Sequence, residues 1–236
     1  MARLLLVGNS RWHWAELADG AWRSWHTAPP AHVESPPWDQ LRAWAAVGSL
    51  PAGCQPPADR CMALGQVPLR EMPPWLGMDR ALVGWGAWRA QGCSALVADA
   101  GTALSLTWVD GEGRFRGGRI SAGVALQRRS LAQAAALLPP PQPPGAANGL
   151  VAADPWPLQT EQALQQGCAR ATAGAIALAW RELGLQHPDD RRRLWLTGGD
   201  GDVLAPLLRE QGIAAELAPD LALKALAALP AVGLLS

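Results

Sequence analysis

Two short turns carry the small polar residues best suited to hold anionic oxygens. Gly8-Asn9-Ser10 follows the apolar run Arg3–Val7, and Gly101-Thr102-Ala103 follows Ala95–Ala98 and Asp99. Turns of this composition present backbone N–H groups and a hydroxyl close enough to wrap phosphate oxygens. Ser10 and Thr102 supply the hydroxyl donors. Asp99 stands where a carboxylate can hold a cation or take a proton, or can cap the turn's own N–H groups. Asp79 opens a helical stretch and is followed by Arg80. The pair reads either as an N-cap with a surface arginine, or as a proton acceptor beside a guanidinium that binds an anionic group. Thr197-Gly198-Gly199 follows a third short strand and leaves an open platform for a planar ring.

The elements that must position these residues can be read from period and punctuation. Arg3–Val7 reads as a buried strand, Arg11–Leu17 and Ala21–His26 as alternating strands, with Asp19-Gly20 as the hairpin turn between them. Ala95–Ala98, Ala103–Val109 and Arg114–Ile120 repeat that order, with Asp110-Gly111 as the hairpin. The glycines that open the two turns lie 93 residues apart, so the chain reads as an internal duplication. Helices are expected over Trp38–Val47, Asp79–Gln91, Gly123–Leu138, Leu158–Gly184, Asp202–Gly212 and Pro219–Leu229, and further strands over Cys61–Val67, Leu194–Leu196 and Ile213–Leu217. Thr27–Pro37 and the PPPQPPGAANG segment are loops, because proline at that density excludes helix and central strand. The expected architecture is α/β, with two duplicated lobes, residues 1–91 and 92–236, facing each other across an interlobe cleft.

Composition excludes several classes. The chain has 236 residues, 49% hydrophobic and 17% charged, with 20 basic and 20 acidic side chains. A packed core is easily supplied, and the neutral balance argues against a broad nucleic-acid or membrane-surface binder. No apolar stretch approaches the ~20 residues that cross a bilayer. The four cysteines lack C-x-x-C spacing and the four histidines lack metal spacing, so a reducing cytoplasm is the expected compartment. Trp12, Trp14, Trp22 and Trp25 read as core more than as a stacking platform.

Taken together, the motifs resemble the type III pantothenate kinases of the actin/hexokinase-like, ribonuclease H-like superfamily. LLLVGNSRWHW is similar to the family's first phosphate loop, D-x-G-N-T-x-x-K; GMDR at Gly77–Arg80 to G-x-D-R; and DAGTA at Asp99–Ala103 to D-x-G-T-A. GGRISAG at Gly117–Gly123, followed by Ser130-Leu131, resembles G-G-x-I-x-P-G with Ser-Leu beyond it. QTEQALQQG and LTGGD resemble the family's late helix start and T-G-G turn. The resemblance spans Leu4 to about Asp202 in the family's order. It implies actin-like ATPase lobes and transfer of the ATP γ-phosphoryl group to the primary hydroxyl of pantothenate, the first step toward coenzyme A. By position, Asp79 would be the general base, and Gly77, Met78, Asp79 and Arg80 would line the pantothenate site. Leu6, Val7, Gly8, Asn9, Ser10, Arg11, Trp12, His13 and Thr102 would hold ATP. Asp99 would bind the monovalent cation, K⁺ or NH₄⁺; Mg²⁺ would bridge the phosphates; and Thr160 would contact pantothenate in a homodimer.

The chain departs from the family pattern at several places, Ser10 for the first-loop Thr being the mildest. Leu6 stands for the first-loop Asp, His13 for its Lys, and Ala122 for a Pro. The first two touch the phosphate side of the site and leave two other readings open: a nucleotide-binding accessory or regulatory homologue with weakened catalysis, and a kinase for another small hydroxylated substrate.

Overall fold

The computed structural model describes residues 1–29, 38–135, 137–139 and 154–235. The Pro-rich segment at 140–149 and the end of the Thr27–Pro37 loop lie outside them. The chain forms two compact units: Met1–Gly92 with Glu112–Phe115 and Asp220–Ser236, and Cys93–Gly111 with Arg116–Pro219.

The first unit is built on β1 (Ala2–Val7), β2 (Trp12–Ala18), β3 (Ala21–Thr27) and β4 (Leu41–Ala46), in the order β3-β2-β1-β4. β1 pairs antiparallel with β2 and parallel with β4. Leu4–Val7 are all buried, as a central strand covered on both faces requires. The β2–β3 turn is Asp19-Gly20, with φ of 50° and 78°. Positive φ at both central residues is the hairpin geometry that matches strand twist, and Asp-Gly adopts it cheaply. One sheet face carries Leu5, Val7, Trp12, Trp14 and Trp44 in a single apolar cluster. Trp12 and Trp14 are core, as expected, whereas Trp22 and Trp25 are half-buried; Trp14 stacks on Trp25 with ring centroids 6.2 Å apart.

α1 (Met78–Gln91) packs on α5 (Leu221–Ala228), and α5 packs against β1, β2 and β4. Gly86 lets the two helices approach, since a Cβ there would stand 2.9 Å from that of Ala225. Asp220, at the head of α5, accepts hydrogen bonds from Trp22 Nε1 (3.1 Å) and Ser24 Oγ (2.7 Å) on β3. These contacts put Asp220–Ser236 in the first unit, whereas the sequence reading grouped it with the second lobe.

The second unit repeats the plan with β5 (Ser94–Ala100), β6 (Ala103–Val109), β7 (Phe115–Ala122), β8 (Arg192–Thr197) and β9 (Glu216–Leu217), in the order β7-β6-β5-β8-β9. β5 pairs antiparallel with β6 and parallel with β8, which matches β1 with β2 and β4. One face of this sheet, with Leu96, Ala98, Leu104, Leu106, Leu194 and Leu196, packs on α3 (Thr160–Gln186) and α4 (Gly201–Glu210). α2 (Val124–Ala134) lies against α3.

Four local expectations differ from the structure. Trp38–Val47 is a 3₁₀ turn at Trp38–Gln40 followed by β4, not a helix. Pairing with the open edge of β1 outweighs the helical preference of its alanines. Arg60 fixes the turn by donating to the carbonyls of Trp38 and Asp39 at 3.0 and 3.2 Å. Cys61–Val67 is not a strand: Cys61 makes one bridge to Trp44, and a 3₁₀ turn follows at Leu64–Gln66. Ile213–Leu217 shortens to Glu216–Leu217. In the β6–β7 connection the positive φ falls at Gly113, not Gly111.

The Asp220 contacts make a direct test. Asp220→Ala should lower unfolding stability by about 2 kcal/mol, the worth of two hydrogen bonds to a carboxylate at a half-exposed site. Urea unfolding followed by tryptophan fluorescence measures it; an unchanged midpoint would mean that packing alone holds α5 in place.

Candidate active site

The first turn spans Gly8–Arg11, between paired residues Val7 and Trp12. Gly8 N–H donates to the Arg11 carbonyl at 3.0 Å and closes the turn. The Val7 carbonyl accepts from Val47 N at 2.8 Å, which ties the end of β1 to the residue after β4. Gly48 follows, and a Cβ there would stand 2.7 Å from Asn9 Oδ1. Asn9, Ser10 and Arg11 are exposed. Leu6, Val7 and Trp12 are core residues at 5%, 0% and 1% exposure. Their side chains pack in the core beneath the turn. His13 emerges on β2, with its ring lying over Gly8. Its imidazole is held below the usual histidine range, first by desolvation and then by His26 and Arg11.

The second turn, Gly101–Ala103, is closed by a 3.0 Å bond from Gly101 N–H to the Ala103 carbonyl. Half-buried Asp99 lies near the end of β5, with Ser105 on β6 and Thr197 on β8 as its register partners. Thr102 is exposed, and its carbonyl accepts from Gly123 N at 3.0 Å. Two glycines press on this turn from other parts of the chain. A Cβ on Gly123 would overlap the Gly101 carbonyl oxygen, and one on Gly198 would overlap that of Ala100. Gly198 also holds φ at +87°, where side chains are strained. Asp200 N–H donates to the Ala100 carbonyl at 3.0 Å, so the Thr197–Asp200 turn is fastened to the end of β5.

The Gly77–Arg80 motif starts α1. Gly77 is the N-cap, and Asp79 sits in the first helical turn, where the helix dipole favours negative charge. Asp79 Oδ1 accepts a 2.8 Å bond from the Arg80 backbone N–H. The carboxylate folds back over Gly77, and a Cβ there would stand 2.6 Å from Oδ1. The glycine therefore makes room for the aspartate two residues on. Met78 is buried, and Asp79 and Arg80 are half-buried. The Arg80 guanidinium lies over the Phe115 ring, 5.5 Å from its centroid. Burial lowers its pKa and Asp79 opposes the shift; arginine stays charged throughout. Phe115 is held in turn by a 2.8 Å bond from its N–H to the Arg70 carbonyl.

Thr160 is the exposed first residue of α3. The next residue, Glu161, forms an ion pair with Arg128 of α2, a helix whose N-cap is Gly123. The first unit thus carries the Gly8 turn and the Gly77–Arg80 motif, and the second carries Asp99, Thr102 and Thr160. Sequence reasoning missed Gly48, Phe115 and the Arg128–Glu161 pair. The first had a weak signal in its small neighbours, and the others had none. Among the described residues, no group of three or more His, Cys, Asp or Glu side chains is placed to hold a metal ion, and no helix is long and apolar enough to cross a membrane.

Residues 59–182, which include Asp79, Asp99, Thr102 and Thr160, match the family model described as type III pantothenate kinase. A type III pantothenate kinase of Thermosynechococcus vestitus is 37% identical over 213 residues, which cover 87% of this chain and 80% of the relative. One from Synechococcus sp. strain JA-3-3Ab is 37% identical over 227 residues, covering 94% and 89%. The chain belongs to the type III pantothenate kinase family.

Solved structures add to the fold. Component A of the (R)-2-hydroxyglutaryl-CoA dehydratase of Acidaminococcus fermentans superposes with a TM-score of 0.54 at 11% identity, covering 98% of this chain and 96% of that one. The activator of the 2-hydroxyisocaproyl-CoA dehydratase from Clostridium difficile, solved with bound ADPNP, gives 0.52 at 10% identity, covering 98% and 92%. The duplicated α/β plan of this pantothenate kinase family member is therefore a fold shared far beyond its sequence relatives.

The glycine contacts give a prediction independent of activity. Gly198→Ala should destabilise the fold by about 3 kcal/mol or more, since a strained φ and a backbone overlap act together. Gly174→Ala, on α3 with nothing within 4 Å of its added Cβ, is the control and should be neutral or stabilising. Thermal unfolding of both variants checks this.

Proposed function

We propose that this chain transfers the γ-phosphoryl group of ATP to the primary hydroxyl of pantothenate, giving 4′-phosphopantothenate and ADP. The observation that carries the reading is the Gly77–Arg80 helix start in a chain of this family, where a carboxylate is turned back at a helix N-terminus beside a half-buried guanidinium. In this reading Asp79 accepts the proton as the hydroxyl oxygen bonds to the γ-phosphorus and the bond to the β-phosphate oxygen breaks. Its Oδ1 is oriented by the Arg80 N–H. Arg80, whose guanidinium lies over the Phe115 ring, meets the pantothenate carboxylate with its N–H groups. Gly77 and Met78 line the same site, and Thr160 contacts the substrate from the start of α3.

On the nucleotide side, the exposed N–H groups and side chains of Gly8–Arg11 and the Thr102 hydroxyl hold the phosphates. Leu6, Val7 and Trp12 act by keeping the first turn in place. Asp99 with the register-neighbouring hydroxyls of Ser105 and Thr197 is a hard oxygen donor set, which fits K⁺ or NH₄⁺. Thr197 donates its hydroxyl proton to the Pro219 carbonyl at 3.4 Å, which leaves its lone pairs as acceptors. Mg²⁺ fits as an ion carried by the phosphates, since such sites use only one or two carboxylates. When bound, these cations neutralise phosphate charge. We assign the reaction to the cytoplasm and the working form to a homodimer.

Asp79→Asn should cut kcat by about 10²–10⁴, the usual range for general-base removal, with KM for ATP nearly unchanged. Gly77→Ala moves the same carboxylate without altering its charge and should act in the same direction. ADP release in the presence of pantothenate measures both; near-normal turnover in Asp79→Asn would remove it from the base role. Asp99→Ala should abolish the stimulation by K⁺, read from rates in K⁺ against Na⁺ buffers. Stimulation that persists at full size in that variant would move the cation elsewhere.

A further inference from the structure

The duplicated sheets carry equivalent rows of residues beside their turns, and the rows differ in charge. In the second sheet the register aligns Thr197, Asp99 and Ser105. In the first it aligns Ala45, Leu6, His13 and His26. Directly paired residues of neighbouring strands share a face. Leu6 therefore takes the place of Asp99 in the duplication, and His13 takes the place of Ser105. The Asp and Lys of the family's first-loop pattern fall on Leu6 and His13, which are cross-strand partners. The two departures are one structural replacement, in which an acid–base pair becomes a buried leucine and an imidazole.

The first turn is also one residue longer than the second, and the extra length brings in Arg11. Arg11 Nη1 lies 3.4 Å from His26 Nε2. The His13 ring stands over Gly8, its Nε2 3.6 Å from where a Cβ would be. This row holds no carboxylate, and the charged groups that bear on His13 are His26 and Arg11.

We propose that His13 and His26, with Arg11, form an anion-binding edge on the first turn, and that nucleotide phosphate binds there with uptake of a proton by the His13 imidazole. The proposal rests on the reading that the Gly8 turn meets the ATP phosphates, and it adds His26 and the proton to that reading. In the free chain, desolvation, His26 and Arg11 all disfavour the charged form of His13. A phosphate beside the ring reverses that balance, because imidazolium donates a charge-assisted hydrogen bond. Two pH trends of opposite sign follow. Folding of the free chain binds fewer protons at His13 than the unfolded chain does, so its contribution is present above the ordinary value of 6.5 and is lost as pH falls through the lower folded value. Nucleotide affinity instead rises as pH falls.

The test is calorimetric titration of the full chain with Mg-ADP at neutral pH, in buffers of different ionisation heat. The wild type should take up a measurable fraction of a proton. The His13→Gln/His26→Gln double variant, altered only at exposed positions, should bind roughly tenfold more weakly, the worth of one hydrogen bond to a charged group, and should lose the uptake. Arg11→Gln should weaken binding while the uptake persists. A thermal midpoint at or above the wild-type value shows that the double variant is folded. Equal affinity and equal uptake in wild type and double variant overturn the proposal, as does a wild type that fails to bind Mg-ADP. Histidine-dependent uptake in a chain that does not phosphorylate pantothenate would sink the substrate reading and leave this one standing. Pantothenate phosphorylation with a KM for ATP indifferent to both histidines would do the reverse.

Discussion

Two backbone carbonyls, Val7 O at the end of β1 and Ala100 O at the end of β5, set how each lobe holds its turn. Each accepts an N–H from the chain that follows the parallel neighbour strand: Val47 N for Val7, Asp200 N for Ala100. The turn, the central strand and the crossover strand are thereby fixed as one unit. The cost is space, since backbone lies directly on backbone and a Cβ has nowhere to go. Gly123 against Gly101 and Gly198 against Ala100 are the places where that constraint shows, whereas Gly48 makes room for the Asn9 side chain. A rigid frame of this kind is what phosphoryl transfer asks of a protein, because alignment supplies most of what the enzyme contributes.

Around the shared frame the two lobes divide the chemistry by charge. The first has Arg11, His13 and His26 near its turn and no acid in that row. The second has Asp99 between two hydroxyl-bearing neighbours. In the proposed reading the same duplicated scaffold takes anionic oxygens at one turn and a cation at the other. Asp79, the carboxylate proposed to act on the acceptor, belongs to neither turn. It stands on α1, whose position depends on α5 and hence on the last segment of the chain.

Aromatic packing carries much of the support. Trp12 and Trp14 anchor β2 in the core, so the turn that precedes them is held at its base by large buried rings. The lone phenylalanine does a different task. Phe115 lies under Arg80, and its own N–H is tied to the Arg70 carbonyl, so the guanidinium beside Asp79 rests on a fixed surface.

The amino-acid order by itself determined the duplication, the two Gly-opened turns, the Asp19-Gly20 hairpin and the α1 start at Gly77–Arg80. Each is local: period, turn chemistry and helix-capping residues are written within a few neighbouring positions. Other features were decided only in three dimensions. β4 is a strand because β1 offers an unpaired edge to its backbone. α5 joins the first unit because Asp220 meets Trp22 and Ser24, almost 200 residues away. Leu6 and His13 read along the chain as two separate departures, and only strand register shows them to be one pair. Gly77, Gly123 and Gly198 look alike in the sequence. What each makes room for depends on which atoms the fold brings against it, and no local pattern records that.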